Sequence, residues 1–301
     1  MPLPAVHLAL AWETLERWRT DPPHAPFDPT AAVPRNAFLQ GALGPDMGFF
    51  PGGVAILSEL AHNHRPGDLT RALAASAGTD VQRAFVWGWL THVLADVAVH
   101  PTVNEHARRA VVAAGGDPAD EQALAAAHSR LELGLDIRLH ARDPRLRRIR
   151  LAHAFDARSV GWVADAYRQT YGLSFRCDWV LRSHRAVAPL ARALALLECL
   201  HLHAARSAPA ASAAPSAPRS HRPARFGRGA LCMVGAALGR YLSAGNRAFL
   251  QPLAPPRALL RCYQDTAAAF WSLLRRYQVE GLRSLGNPDL DGRAEPLRLS
   301  A

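Results

Sequence analysis

From Trp89 to Pro101 the chain reads Trp-Leu-Thr-His92-Val-Leu-Ala-Asp96-Val-Ala-Val-His100-Pro, an apolar run interrupted by a metal-competent side chain at every fourth position. Residues four apart on a helix share one face, with Cβ atoms about 5 to 6 Å apart. Any helix built from this segment therefore sets an aspartate between two histidines on an otherwise apolar surface. A carboxylate taken into such surroundings carries a large desolvation cost unless it is paired or holds a metal. A plain core helix would not place Asp96 there, so the segment is expected at the centre of a helical bundle, with its polar stripe gathered around one or two cations. Pro101 biases His100 away from helical geometry, which predicts that the helix, begun at Asp80, ends near His100 and turns that ring toward a different ion from His92.

A second pair with the same spacing is His128-Ser-Arg-Leu-Glu132, with Asp136 one turn further. Fourteen histidines and 25 acids would place about one histidine four residues before an acid by chance, whereas the sequence holds four such pairs. Two of them, His24 with Asp28 and His64 with Asp68, enclose a proline and do not suit a helix. A lone histidine is more often a hydrogen-bonded core or surface residue than a ligand. His153, His184, His201 and His203 are read that way, and Trp87 and Trp89 as packing.

The fold class expected is all-α, a multi-helix bundle. Alanine, leucine and arginine dominate, and β-branched and aromatic residues are too sparse for a large sheet. Apolar period and breakers predict helices over about 5–19, from near Asn36, and over 54–62, 68–75, 80–100, 121–141, 160–171 and 185–205. Gly44-Pro45-Asp46-Met47-Gly48, with Pro51-Gly52-Gly53 behind it, reads as an exposed turn that puts Asp46 on a loop. Residues 1–206 are thus expected to form a helical domain. Residues 207–226, rich in alanine, serine and proline, read as a disordered linker. A C-terminal segment, 227–301, should add helices near 229–250 and 256–285, either completing the first bundle or forming a hairpin of its own.

Charge and cysteine content narrow the surroundings. The formal charge is +10 and the sequence contains no lysine. This permits attraction to an anionic membrane surface or to nucleic acid, although the run Arg142, Arg145, Arg147, Arg148 and Arg150 reads most simply as a solvated face. Cys177, Cys199, Cys232 and Cys262 are scattered and form no Cys-x-x-Cys pair. No stretch of 18 apolar residues suggests a transmembrane span, and the first residues lack the charged n-region of a secretory signal. The location expected is cytoplasmic.

The order His7, Asp46, His62, His92-x-x-x-Asp96, His100, His128-x-x-x-Glu132 resembles the ligand order of the zinc-dependent phospholipase C family, related to the S1/P1 nucleases. Particular phrases carry the likeness: His7-Leu-Ala-Leu, Gly41-Ala-Leu-Gly-Pro-Asp46, and Ala84-Phe-Val-Trp-Gly-Trp-Leu-Thr-His92-Val-Leu-Ala-Asp96 with His100-Pro101 behind it. The resemblance implies an all-helical zinc hydrolase of phosphate esters with two or three Zn2+ ions. One ion would be held by Asp46, His62, His92 and Asp96, and a second by His100, His128 and Glu132. A third would involve His7 and a carboxylate shared through Asp96. For the position contested by His62 and His64, His62 is favoured because it belongs to the helix from Val54. His64 then supports from outside, while Asp136 and Arg130 are expected to brace the ligating rings.

The implied chemistry is hydrolysis of a phosphodiester by a metal-activated water, with Asp46 both ligating and accepting the water's proton. A phospholipid is the substrate implied. Met47 and Gly48 follow Asp46 and Phe49 and Phe50 come later, so a choline preference does not carry over. Alternatives are a single-strand nuclease or phosphomonoesterase on the same cluster, or a non-catalytic, metal-stabilised interaction module.

Overall fold

A computed structural model describes residues 4–50, 52–143, 145, 146, 149, 151–188, 252–288 and 290. Among them every regular element is helical, as an alanine- and leucine-rich chain with few β-branched residues dictates. The helices are α1 (Pro4–Thr20), α2 (Ala32–Gly41), α3 (Ala55–Asn63), α4 (Pro66–Ser76), α5 (Asp80–Ala113), α6 (Glu121–Arg142), α7 (Gly161–Tyr171), α8 (residues 177–188) and α9 (Arg257–Glu280). The expected linker at 207–226, the helix foreseen at 229–250, Cys199, Cys232, His201 and His203 lie outside the described residues.

Helix α5 is the axis of the bundle and packs against α1, α2, α4, α6 and α9. A capping box starts it: Thr79 Oγ1 accepts from Gln82 N (3.2 Å), and Gln82 Oε1 accepts from Thr79 N (3.1 Å). Two glycines bring α2 against it backbone to backbone. A Cβ on Gly88 would stand 2.0 Å from the Phe38 carbonyl oxygen, and one on Gly41 2.1 Å from that of Phe85. Around this contact Trp18, Phe38, Phe85 and Trp89 are fully buried. Truncating any of these aromatic side chains to alanine should cost about 3–5 kcal/mol.

The structure departs from the sequence expectations in four places. Helix α2 begins at Ala32 rather than near Asn36, because Pro34 falls in the first turn, where its missing N–H leaves no hydrogen bond unmade. The segment 44–48 is a buried 3-10 turn (Pro45–Gly48), not an exposed loop. Its glycines serve close packing rather than solvent: a Cβ on Gly44 would lie 2.5 Å from the Trp89 ring, and one on Gly48 2.4 Å from the Val54 carbonyl oxygen. Helix α8 starts at 177, well before Arg185. Finally, α5 continues through Pro101 to Ala113, so His100 lies inside it. An interior proline costs about 3 kcal/mol, but Val99, Val103, Ala107 and Val111 form a buried stripe at every fourth residue that carries the helix onward.

The C-terminal residues pack on the same bundle. Helix α9 buries Leu259, Thr266, Phe270, Leu274 and Tyr277 on one face, against α5 and α1. Before it, Leu253 N donates to the Arg130 carbonyl of α6 (2.9 Å). After it, the chain crosses the start of α4 and returns to α5, with Leu285 and Leu290 buried.

Candidate metal centre

Five elements deliver one polar cluster into this core. Helix α1 carries His7, the 3-10 turn Asp46, α3 His62, α5 His92, Asp96 and His100, and α6 His128 and Glu132. All eight are buried except His128, which is half-buried. At about 1.5 Å of rise per residue, His92 and His100 stand about 12 Å apart along α5, and Asp96 between them reaches both. Its Oδ2 lies 3.0 Å from His92 Nε2 and 3.5 Å from His62 Nε2, and its Oδ1 3.3 Å from His7 Nε2 and 3.4 Å from His100 Nε2. Asp46 Oδ1 is 3.2 Å from His62 Nε2, while Glu132 Oε1 is 3.2 Å from His100 Nε2 and 2.9 Å from His128 Nε2.

The outward nitrogens determine what the inward ones are. His62 Nδ1 donates to the Ser58 carbonyl (2.8 Å), His92 Nδ1 to that of Ala42 (2.9 Å) and His100 Nδ1 to that of Leu290 (2.5 Å). A carbonyl only accepts, so these Nδ1 atoms carry hydrogen, and in the neutral rings the Nε2 lone pairs point inward. His128 Nδ1 is held in the same way by Asn104 Oδ1 (2.8 Å). Inside the pocket, lone pairs therefore meet carboxylate oxygens, and the Nε2 atoms of His62 and His92 face each other at 3.5 Å. Both oxygens of Asp46, Asp96 Oδ2 and Glu132 Oε2 are buried without a hydrogen-bond partner. Acceptors that converge in an apolar core call for positive charge, supplied by protons on the imidazoles or by bound cations.

Titration tendencies agree. Burial pulls His62 down, yet Asp46 and Asp96 outweigh it and push the ring up to about 10. His100 is likewise drawn down by burial but lifted to about 9 by Asp96, Glu132 and the Leu290 carbonyl. His92 is raised against its burial by Asp96 and Asp46. Burial would raise Asp96 and Glu132, but the imidazoles around them hold both carboxyls below their ordinary range. His7 moves oppositely, to about 4, through burial and the neighbouring charge of His92, on which its ring stacks at 3.9 Å. The pocket stabilises positive charge without room for a proton on every ring. Divalent cations fit this donor set: imidazole nitrogen and carboxylate oxygen are zinc's usual partners in proteins, alongside thiolate. Three trios have ligand atoms mutually within 4.8 Å: His7, His92 and Asp96; Asp46, His62 and His92; and His100, His128 and Glu132.

Other expected participants are placed differently. His64 caps the end of α3, exposed, and its carbonyl accepts from the Tyr171 hydroxyl (2.7 Å), so it supports no ring of the cluster. Asp136 braces a backbone: its carboxylate accepts from Ala5 N (2.9 Å) and Val6 N (3.3 Å), fixing the start of α1 that carries His7. This is a helix N-terminus capped from a distant helix. Arg130 contributes its carbonyl to Leu253. Asn104 went unnoticed in the sequence, although it continues the series His92, Asp96, His100 by one more step of four. The presumed helix end at Pro101 concealed it.

A family model described as zinc-dependent phospholipase C matches residues 6–185, a span that holds all eight side chains. No curated protein and no solved structure matches the chain.

Proposed function

The chain belongs to the zinc-dependent phospholipase C family, and from that premise we propose that it hydrolyses the phosphodiester of a phospholipid at a centre of about two or three zinc ions. Asp46, His62, His92 and Asp96 would hold one ion, His100, His128 and Glu132 a second, and His7 with Asp96 a third. When bound, zinc supplies Lewis acidity toward a phosphoryl oxygen and lowers the pKa of water toward neutrality.

The chain's own residues do the rest. Carbonyls on the Nδ1 atoms of His62, His92 and His100 lock those rings in the tautomer that presents Nε2. Asp96 ties the two ends of the pocket together through its separate oxygens. Asp46 has two oxygens free of hydrogen bonds, so one serves as ligand while the other takes the proton of the attacking water. That water adds to phosphorus, and the bond from phosphorus to the diacylglycerol oxygen breaks. Diacylglycerol leaves with a proton, and the phosphorylated head group remains. His128, the most exposed of the eight, marks the end from which the phosphate enters.

The observation that carries this reading is the convergence of imidazole lone pairs and unpartnered carboxylate oxygens in a buried core. Its test is metal analysis of the purified protein beside assays on phospholipid vesicles, single-stranded DNA and a phosphomonoester. We expect about two to three zinc ions per chain, diacylglycerol release from vesicles, and loss of that activity on chelation. Bound zinc without hydrolysis of any of the three substrates would instead favour a closed, metal-stabilised interaction module.

A further inference from the structure

Each outward ring nitrogen of the cluster that has a partner finds it nearby in the family-matched span, with one exception. His62 is held by Ser58 one turn earlier, His92 by Ala42 at the C-terminal cap of α2, and His128 by Asn104. His100 is held by the carbonyl of Leu290, 190 positions along the chain and far beyond residue 185.

That carbonyl arrives on a short length of chain seated on α4, a helix that carries none of the eight side chains. Leu285 and Leu290 are its buried ends. Between them, Asn287 Oδ1 accepts from Asp68 N (2.9 Å), satisfying one of the free N–H groups in the first turn of α4. Arg71, one turn further along α4, donates to the Leu285 carbonyl. The two backbones touch at Gly67, where a Cβ would stand 1.8 Å from the Gly286 carbonyl oxygen. Side chain, backbone and apolar contacts together fix where Leu290 presents its oxygen.

We propose that residues 285–288, with Leu290, are a positioning strap which sets the affinity of the ion held by His100, His128 and Glu132, through the hold of the Leu290 carbonyl on His100 Nδ1. The proposal rests on the zinc reading above. An acceptor on the outward nitrogen fixes a ligating ring and raises its basicity, and its loss typically weakens metal binding about 10–100-fold. His62 and His92 have partners independent of the strap, so the effect is confined to one ion.

Two substitutions in the full chain test this. Gly67→Ala drives a methyl into the Gly286 backbone while giving α4 a better helix former. Asn287→Ala removes the bond to Asp68 without pushing any new atom against α4. Zinc affinities come from titration against a competing chelator, and the His100 Nδ1–H signal is followed by imidazole NMR of the zinc-free protein. We expect both variants to weaken one zinc step about tenfold or more, to leave the other steps unchanged, and to expose the His100 Nδ1–H to solvent exchange. If Gly67→Ala does not fold, Asn287→Ala alone decides. Wild-type affinities at every step in the variants would overturn the strap, as would an equal weakening of all steps. Failure of the wild-type protein to bind zinc would instead overturn the metal reading on which the strap depends.

Discussion

The two ends of the metal pocket are built on different principles. At the deep end, Asp46 and His92 expose nothing, and the rings of His62 and His92 are pinned by carbonyls of the surrounding helices. At the open end, His128 exposes 16% of its side chain, and the rings of His128 and His100 depend on an amide side chain and on a carbonyl brought from the C-terminal residues. The deep end is thus a product of core packing, and its geometry holds as long as the bundle holds. The open end is the more exposed one, and its geometry rests on a few separable hydrogen bonds. Stability and metal affinity should therefore be coupled at one end and separable at the other.

The largest effect should come from Asp96→Asn, which removes the charge that both ends share with four imidazoles. We expect zinc content to collapse and phosphodiester hydrolysis to fall more than about a hundredfold, beyond what loss of an outer partner produces. Metal analysis and vesicle assays on the same preparation check this. If only one ion is lost, the two ends are independent and Asp96 does not link them.

Next is Gly88→Ala, aimed at the deep end through packing alone. The added methyl meets the Phe38 carbonyl of α2, and two backbones cannot rotate away from each other, so the cost should be about 3 kcal/mol. Chemical denaturation should show that loss together with weaker zinc binding, because Ala42 moves with α2. Asn104→Ala aims at the open end. It should weaken a single zinc step about 10–100-fold while the denaturation midpoint of the zinc-free protein falls less than with Gly88→Ala. A fall in stability matching that of Gly88→Ala would erase the contrast between the ends.

The effect that is smallest at neutral pH, and grows only in acid, belongs to a buried histidine outside the pocket. His184 is pushed down to about 3 by burial, aided by His153 and Arg185, and its Nε2 accepts from Phe155 N (3.3 Å). Its folded pKa lies below the unfolded value, so the unfolded chain takes up the proton first. The stability His184 contributes is complete above about pH 6.5 and is lost as pH falls toward 3, by about 1.4 kcal/mol per unit. Denaturation midpoints at stepped pH for the zinc-free wild type and for His184→Gln should diverge below pH 6.5, the variant showing the shallower slope. Parallel curves would mean that His184 is not buried as a neutral ring.

What the sequence disclosed follows the same division. The stripe His92, Asp96, His100 was legible because helical period alone puts those residues on one face, and the composition left little besides helix to build with. His128 with Glu132 was legible for the same reason. Asp46 and His7 came from resemblance to a family, since no spacing rule links a 3-10 turn and a first helix to a stripe on α5. The segment around Asp46 was misjudged because glycine and proline signal turns equally in solvent and in the core, and only the Trp89 ring against Gly44 distinguishes the two. Pro101 misled because the penalty of a proline is local, while the burial of Val103, Ala107 and Val111 that offsets it is tertiary. The hold of Leu290 on His100 leaves no local trace, as the two residues are joined only by the folded chain.

Anomalous scattering at the zinc absorption edge, from crystals of the purified protein, tests the account most directly. It predicts peaks for about two or three ions, each bonded to Nε2 or carboxylate oxygens among His7, Asp46, His62, His92, Asp96, His100, His128 and Glu132. A map with no peak within bonding distance of Asp96, or with zinc bound elsewhere on the surface, would contradict it.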